Sequence, residues 1–120
     1  MNNEYKEWME KAEEDLDTAN YNLQGNKLGA AAFFMQQSAE KALKALHIKK
    51  FGKFPKTHDL VSLSRELKVP ENILSCAKLL SPAYQYTRYP DIMEPHELEA
   101  EINELNSSCK EIIKWVKKNL

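Results

Sequence analysis

Apolar side chains recur every three or four positions along most of this 120-residue chain, and that spacing is the spacing of a helix face. It predicts an amphipathic helix from about Asn3 to Gln24 and a second helix from about Lys27 to Lys50. The chain has only three glycines and five prolines, which favours long helices over a sheet rich in turns.

The second half of the chain predicts shorter helices. Thr57 or Asp59 suits the N-cap of a short third helix, and Pro70 suits the first turn of a fourth. The segment Tyr84–His96 contains two prolines and is predicted to be a loop, and Pro95 opens the last helix. We therefore expect an all-α fold, an antiparallel up-and-down helical bundle of about five helices.

Composition and charge bear on the number of domains, on nucleic-acid binding and on the cellular location. Its length suits one domain over residues 1–120, and the formal net charge of −1 gives no global basic field, so a nucleic-acid contact would need a local basic patch. The longest apolar run is too short to span a membrane, and the acidic N-terminus lacks the features of a signal peptide. We expect a cytoplasmic protein without membrane contact.

The predicted loop concentrates side chains that suit nucleotide binding. It contains Tyr84, Tyr86 and Tyr89, together with Arg88 and Asp91. Tyrosine rings and a guanidinium stack on bases, and a guanidinium binds phosphate in a fork. A purely structural interpretation remains open, in which the tyrosines fasten the loop to the bundle and Arg88 pairs with Asp91.

The histidines are weaker candidates. His96 and Arg88 together suit metal-free RNA cleavage, since histidine moves protons near neutral pH and arginine stabilises charge on phosphate. His58 stands at a predicted helix start, where it either caps the helix or binds an anion. His47 is expected to be exposed and to have no role. The histidines lack metal-ligand spacing, so we predict neither a metal nor a cofactor.

The second helix carries a polar row beside Phe33. Gln37, Lys41 and Lys44 follow one another at helical spacing and are candidates for a surface that faces phosphate. The ordinary alternative is a solvated face on which Glu40 and Lys44 form a routine pair four residues apart.

Several segments in this order resemble the HEPN domain, a small helical domain. They are Gln36–Ala45, Thr57–Leu60 and Arg88–Asp91, preceded by a first helix that contains Ala12–Leu16. The resemblance covers about Tyr5–Trp115. It implies a helical bundle, usually dimeric or of higher order, with a cleft where the protomers meet.

The family resemblance also implies two kinds of activity. Many HEPN proteins act with a minimal nucleotidyltransferase as a two-component module, and many others are metal-independent ribonucleases whose arginine is followed after four to six residues by a histidine. Here seven residues separate Arg88 from His96, and two of them are prolines. The sequence Arg88–Asp91 fits better with small stand-alone members, for which nucleotide binding is proposed.

The leading hypothesis is a homodimer that binds nucleotide or RNA phosphates in a cleft at its interface, as one half of a toxin–antitoxin-like module with a nucleotidyltransferase. Arg88 is the expected phosphate contact, and Asp91 is expected to orient it. The supporting positions are Gln37, Lys41, Lys44, His58, Tyr84, Tyr86 and Tyr89.

Two alternatives stay open, and with them the question whether the chain is an enzyme. One is a metal-independent ribonuclease that uses Arg88 with His96 or His58. The other is a non-catalytic interaction module, in which Phe33 and Phe34 bury against a partner chain.

Overall fold

A computed structural model describes residues 3–89 and 91–120, and every regular element in that part of the chain is helical. The elements are α1 (Glu4–Gln24), α2 (Leu28–Phe51), α3 (Leu60–Glu66), α4 (Glu71–Leu80), α5 (Ala83–Tyr86) and α6 (Pro95–Asn119). The predicted all-α bundle is confirmed. No helix in these residues is both long enough and apolar enough to cross a membrane.

The helix ends follow from local chemistry. Gly52 ends α2 with φ of 75°, a left-handed conformation that glycine adopts without the steric cost of a Cβ, and its N–H donates to the carbonyl of Ile48 at 2.8 Å. Asp59 is the N-cap of α3, because its Oδ1 accepts from the backbone N–H of Val61 at 3.0 Å. Pro95 begins α6, as expected.

One prediction about the helices was wrong. The segment from Tyr84 to the start of the last helix was expected to be a loop, but its first residues form part of the single helical turn α5. The turn forms because the backbone N–H of Tyr86 donates to the carbonyl of Pro82, which precedes it in a helical conformation. Pro90 lies outside the described residues.

The helix α2 is the centre of the molecule. It packs along α1 on one side and against α6 on another, and α3 and α5 also contact it. Alanines fill much of its surface and let the neighbouring helices approach closely; those that are fully buried are Ala31, Ala32, Ala39, Ala42 and Ala45.

Burial of α2 on most sides encloses polar side chains as well. His47 was expected to be exposed, but it is only 1% exposed, with Nε2 at 2.9 Å from the carbonyl of Leu63. Ser38 is also buried and donates to the carbonyl of Ala12 at 2.6 Å. Each buried group has a backbone partner, which removes most of the cost of taking it out of water.

Candidate functional site

Three side chains form a stack on the surface. The imidazole of His58 lies parallel to the ring of Tyr84, with the centroids 4.1 Å apart and the planes at 12°. The guanidinium carbon of Arg88 lies 4.2 Å from the Tyr84 centroid. The imidazole and the guanidinium therefore both pack against the same phenol ring. We call His58, Tyr84 and Arg88 the stacked site.

Two helix junctions bring the stacked site together. Ser81, just after α4, donates through its hydroxyl to Oδ1 of Asp59 at 3.3 Å and accepts from the backbone N–H of Leu60 at 3.0 Å. These bonds tie the start of α3 to the segment that leads into α5. His58, next to Asp59, is therefore held beside Tyr84.

Arg88 also lies near α2. Its guanidinium carbon is 5.9 Å from the ring centroid of Phe33, whose ring meets that of Phe34 edge to face at 5.3 Å. Phe34 is partly buried and packs against the hydrophobic core. Phe33 instead forms part of the surface under Arg88.

A buried carboxylate supports the stacked site from below. Glu40 is 5% exposed, and its Oε1 and Oε2 lie 3.0 and 3.2 Å from Nδ1 of His58. Gln36 donates to Oε1 of Glu40 at 3.1 Å and to the carbonyl of His58 at 3.2 Å. Gln37 in turn donates to Oε1 of Gln36 at 2.7 Å. A continuous hydrogen-bonded chain therefore runs from α2 to the imidazole.

The structure does not bring the two predicted lysines to Arg88. Lys44 is buried and donates to Oε2 of Glu40 at 3.0 Å, with its ammonium 5.2 Å from the ring centroid of Phe54. Lys41 forms an ion pair with Asp15 of α1. The predicted polar row on α2 is thus divided: Lys41 pairs with α1, while Gln37 and Lys44 reach the stacked site only indirectly, through Gln36 and Glu40.

The remaining aromatic candidates differ in exposure. Tyr86 packs against the core, and its buried hydroxyl has no hydrogen-bond partner in the described part of the chain. Burial, with a smaller contribution from the charge of Glu101, raises the pKa of Tyr86 to about 12. Tyr89 is exposed and makes no ring contact within residues 3–89 and 91–120.

Asp91 and His96 also stand apart from the stacked site. Asp91 is exposed, and within the described residues it forms no ion pair with Arg88. His96 is exposed in the first turn of α6, and no hydrogen bond or ring contact joins it to Arg88 in the same ranges. Of the two histidines considered for chemistry, the structure places His58 beside the arginine.

A shallow depression adjoins the stack. Its volume is about 640 Å³, and its lining includes His58, Tyr84, Lys78 and the hydroxyl-bearing Thr57 and Ser81. Sequence reasoning missed Lys78 and Ser81, since nothing local marks them. Across residues 3–89 and 91–120, no group of three or more histidine, cysteine, aspartate or glutamate side chains is arranged to hold a metal ion.

Sequence reasoning also missed Glu40 as part of the site. The available signal was a carboxylate on a stretch of helix otherwise lined by Ala39, Ala42 and Leu43. A charged residue in such a stretch either points away from the core or is paired, and here Glu40 is paired with the buried Lys44 and with the half-exposed His58.

Comparison with known proteins identifies the family. The family model described as HEPN domain matches residues 5–119. The crystal structure of TT1696 from Thermus thermophilus is 30% identical and superposes with a TM-score of 0.89, covering 99% of this chain and 100% of that one. ST0689, described as an archaeal HEPN homologue, is 33% identical with a TM-score of 0.80 over 96% of each chain. No curated protein matched the sequence. This chain belongs to the HEPN domain family.

Proposed function

We propose that this protein binds the phosphate groups of a nucleotide or an RNA at the stacked site. The observation that carries the proposal is that the guanidinium of Arg88 has no ion-pair or hydrogen-bond partner in the described part of the chain. Its guanidinium is exposed and held against Tyr84 and Phe33, yet it forms no side-chain hydrogen bond or ion pair within residues 3–89 and 91–120. Its fork of N–H donors is therefore free to bind an anion.

Local charge supports an anionic ligand although the whole chain carries a net charge of −1. The carboxylate below His58 belongs to Glu40, and the ammonium of Lys44 offsets its charge at 3.0 Å. Lys78, on the rim of the depression, forms no ion pair in the described part of the chain. Arg88 and Lys78 thus supply two positive charges without an ion-pair partner in the described residues, against the single carboxylate of Asp59 in the lining of the depression.

The aromatic groups support a nucleotide over a simple anion. His58 and Tyr84 line the depression, so a base or ribose that enters it meets ring surfaces beside the guanidinium. His58 already stacks on Tyr84, so a base stacks on the exposed part of the imidazole, and polar groups such as the amide of Gln85 add hydrogen-bonding capacity at the rim. This arrangement suits a ligand that has both a ring and a phosphate.

Binding is tested by fluorescence anisotropy with a labelled nucleotide and a labelled short RNA. Arg88→Ala is expected to weaken binding about 10-fold or more, because it removes charge-assisted hydrogen bonds. The matched control is Arg65→Ala, which removes the other arginine of the chain, exposed near the end of α3. Equal affinity of wild type and a folded Arg88→Ala would overturn the proposal.

We propose further that the protein works as a cytoplasmic homodimer, with the phosphate-binding cleft at the interface and a nucleotidyltransferase as its partner in a toxin–antitoxin-like module. Membership of the HEPN family supports this assembly. Light scattering at micromolar concentration tests the dimer. Co-expression with a nucleotidyltransferase encoded beside it tests the module, and a monomer that co-purifies with no such enzyme contradicts this proposal.

A further inference from the structure

We infer that a second cavity of this protein, at the end of α2, binds a small zwitterion, namely an α-amino acid with an apolar side chain. The inference does not depend on the proposed phosphate binding. The stacked site lies at the start of α3, whereas this cavity lies beside Glu66, the last residue of α3. Among the residues that the structure describes, none lines both cavities.

The size and the lining of the second cavity suit a small molecule. Its volume is about 500 Å³, within the range of roughly 300–1,000 Å³ that is usual for ligand sites. The lining comes from the last turns of α2, the segment 53–55 and the end of α3. It combines polar or charged side chains with apolar ones, which are His47, Lys53 and Glu66, and Phe51, Phe54 and Pro55. A ligand that matches this lining has both charged groups and an apolar group.

The buried His47 presents a hydrogen-bond acceptor that lacks a donor. His47 is 1% exposed, and its Nε2 lies 2.9 Å from the carbonyl of Leu63, which can only accept. In the neutral ring Nε2 therefore carries the proton and Nδ1 has the lone pair. Nδ1 lies 3.8 Å from Oε2 of Glu66, too far for a hydrogen bond, and has no other hydrogen-bond partner in the described part of the chain. Two acceptors thus lie side by side without a donor between them.

A protonated amino group supplies the missing donors. Its three N–H groups can donate to Nδ1 of His47 and to the carboxylate of Glu66 at the same time. The position at the C-terminal end of α2, a helix of 24 residues, adds to this preference, because the partial negative charge of a helix C-terminus attracts cations. We therefore assign the amino group of the ligand to His47 and Glu66.

Lys53 places a positive charge in the same cavity. Its side chain is exposed and forms no ion pair within residues 3–89 and 91–120, neither with Glu66 nor with another carboxylate. An ammonium in the lining repels a simple amine but attracts a carboxylate next to that amine. An α-amino acid carries both groups on one carbon atom. Its carboxylate is assigned to Lys53.

The aromatic walls of the cavity are held in place by contacts within the protein. The ring of Phe54 packs against Trp8 of α1 with the centroids 4.6 Å apart, and the ring of Phe51 lies 5.6 Å from that of His47. Phe51 is nevertheless 53% exposed, so a large apolar surface remains in water. An apolar side chain of the ligand that covers this surface removes it from water, which favours binding.

The main test is a titration of the isotope-labelled protein with L-phenylalanine, followed by NMR of the backbone amides. We expect the shifts to be concentrated in residues 47–55 and at Glu66, with a Kd of about 1 mM or tighter, since few contacts hold so small a ligand. Absence of shifts at about ten times that concentration would overturn the inference.

Three relatives of phenylalanine test the three assigned groups. Phenethylamine lacks the carboxylate, hydrocinnamate lacks the amino group, and glycine lacks the apolar side chain. Each is expected to bind at least about 10-fold more weakly than phenylalanine, because each leaves one part of the lining without a partner. If any of the three binds as tightly as phenylalanine, the ligand is not an apolar amino acid.

Glu66→Gln tests the contact to the amino group. The substitution keeps the shape of a half-exposed side chain and removes its charge, so we expect phenylalanine to bind about 10-fold more weakly. The matched control is Glu10→Gln on the exposed side of α1, which should bind as wild type does. Unchanged affinity in Glu66→Gln would contradict the assignment and indicate that Glu66 serves His47 alone.

Lys53→Met tests the contact to the carboxylate. It is expected to weaken binding of phenylalanine but not of phenethylamine, because only phenylalanine has a carboxylate. Lys56→Met is the matched control, since Lys56 is also exposed but does not line the cavity. The same affinity for phenylalanine in Lys53→Met and Lys56→Met would contradict the role of Lys53.

Arg88→Ala separates this inference from the proposed phosphate binding. The variant is expected to bind phenylalanine as wild type does, even where it no longer binds a nucleotide, because Arg88 is not part of the lining. Loss of phenylalanine binding in a folded Arg88→Ala would overturn the placement of the amino acid at the end of α2.

Discussion

The imidazole of His58 and the phenol ring of Tyr84 stack face to face at 4.1 Å, although one residue precedes α3 and the other lies in α5. The guanidinium carbon of Arg88 also lies over this ring, 4.2 Å from its centroid. Arg88 and His58 therefore both depend on one ring, whose loss should disturb the predicted phosphate contact and the position of the imidazole.

Tyr84→Ala is expected to weaken binding of a labelled nucleotide about two- to five-fold. The change removes a cation–π contact to Arg88 that at an exposed site is worth about 0.5–1 kcal/mol. Tyr84→Phe keeps the ring and should bind within error of wild type. Fluorescence anisotropy measures both, with Tyr21→Ala on the exposed side of α1 as the matched control. Equal affinities of Tyr84→Ala and wild type would show that the stack does not support Arg88.

Lys44→Met is expected to lower the free energy of unfolding by about 3 kcal/mol. The side chains of Lys44 and Glu40 are 6% and 7% exposed, so the substitution leaves a buried carboxylate without its cation. Urea unfolding followed by circular dichroism measures the change.

The matched control for Lys44 is Lys11→Met. Lys11 pairs with Glu14 at 3.1 Å, but their side chains are 68% and 66% exposed, so the loss should stay below about 1 kcal/mol. The double substitution Lys44→Met with Glu40→Gln removes both charges and should recover part of the stability. Equal effects of Lys44→Met and Lys11→Met would mean that the buried pair contributes no more than a surface pair.

Much of the fold could be predicted from local chemistry. The cap at Asp59, the start of α6 at Pro95 and the break after α2 each depend on residues within one turn, so the sequence alone specifies them. Tyr84 and Arg88 could also be predicted as site residues from the local sequence, because they belong to one short segment rich in tyrosine.

The polar residues of α2 were harder to predict because helical periodicity assumes one buried face. Residues 42–48 are buried without a break, since α1, α3 and α6 all pack on this helix. A pair such as Glu40 and Lys44 has the same spacing whether it is solvated or buried. Its burial depends on Trp8 and Phe54, which cover Lys44 from other parts of the chain.

Cys109 is expected to make the protein less stable as the pH rises above 9. Burial raises the pKa of Cys109 from 9.0 to about 12, and its thiol donates to the carbonyl of Met35 at 3.3 Å. The folded state favours the neutral thiol. Its contribution is therefore complete below pH 9 and is lost between pH 9 and about 12, at up to about 1.4 kcal/mol per pH unit.

Comparison with Cys109→Ala isolates this effect from the other groups that titrate at high pH. When the pH is raised from about 8 to about 10.5, the unfolding free energy of wild type should fall by about 1–2 kcal/mol more than that of Cys109→Ala. Urea titrations at each pH measure both values. Parallel losses in the two proteins would show that the folded and unfolded states do not differ in the pKa of the thiol.

Tyr86→Phe is expected to stabilise the protein by up to about 1 kcal/mol. The hydroxyl of Tyr86 is buried without a hydrogen-bond partner among residues 3–89 and 91–120, so folding removes it from water without replacement. Phenylalanine keeps the ring that packs against the core and removes only the unsatisfied oxygen. Urea unfolding at about pH 7 measures the difference, and Tyr5→Phe, whose hydroxyl accepts from Lys49 at 3.3 Å on the surface, is the control and should change little. If Tyr86→Phe instead lowers the stability clearly, the hydroxyl is hydrogen-bonded in solution, to water or to a second chain.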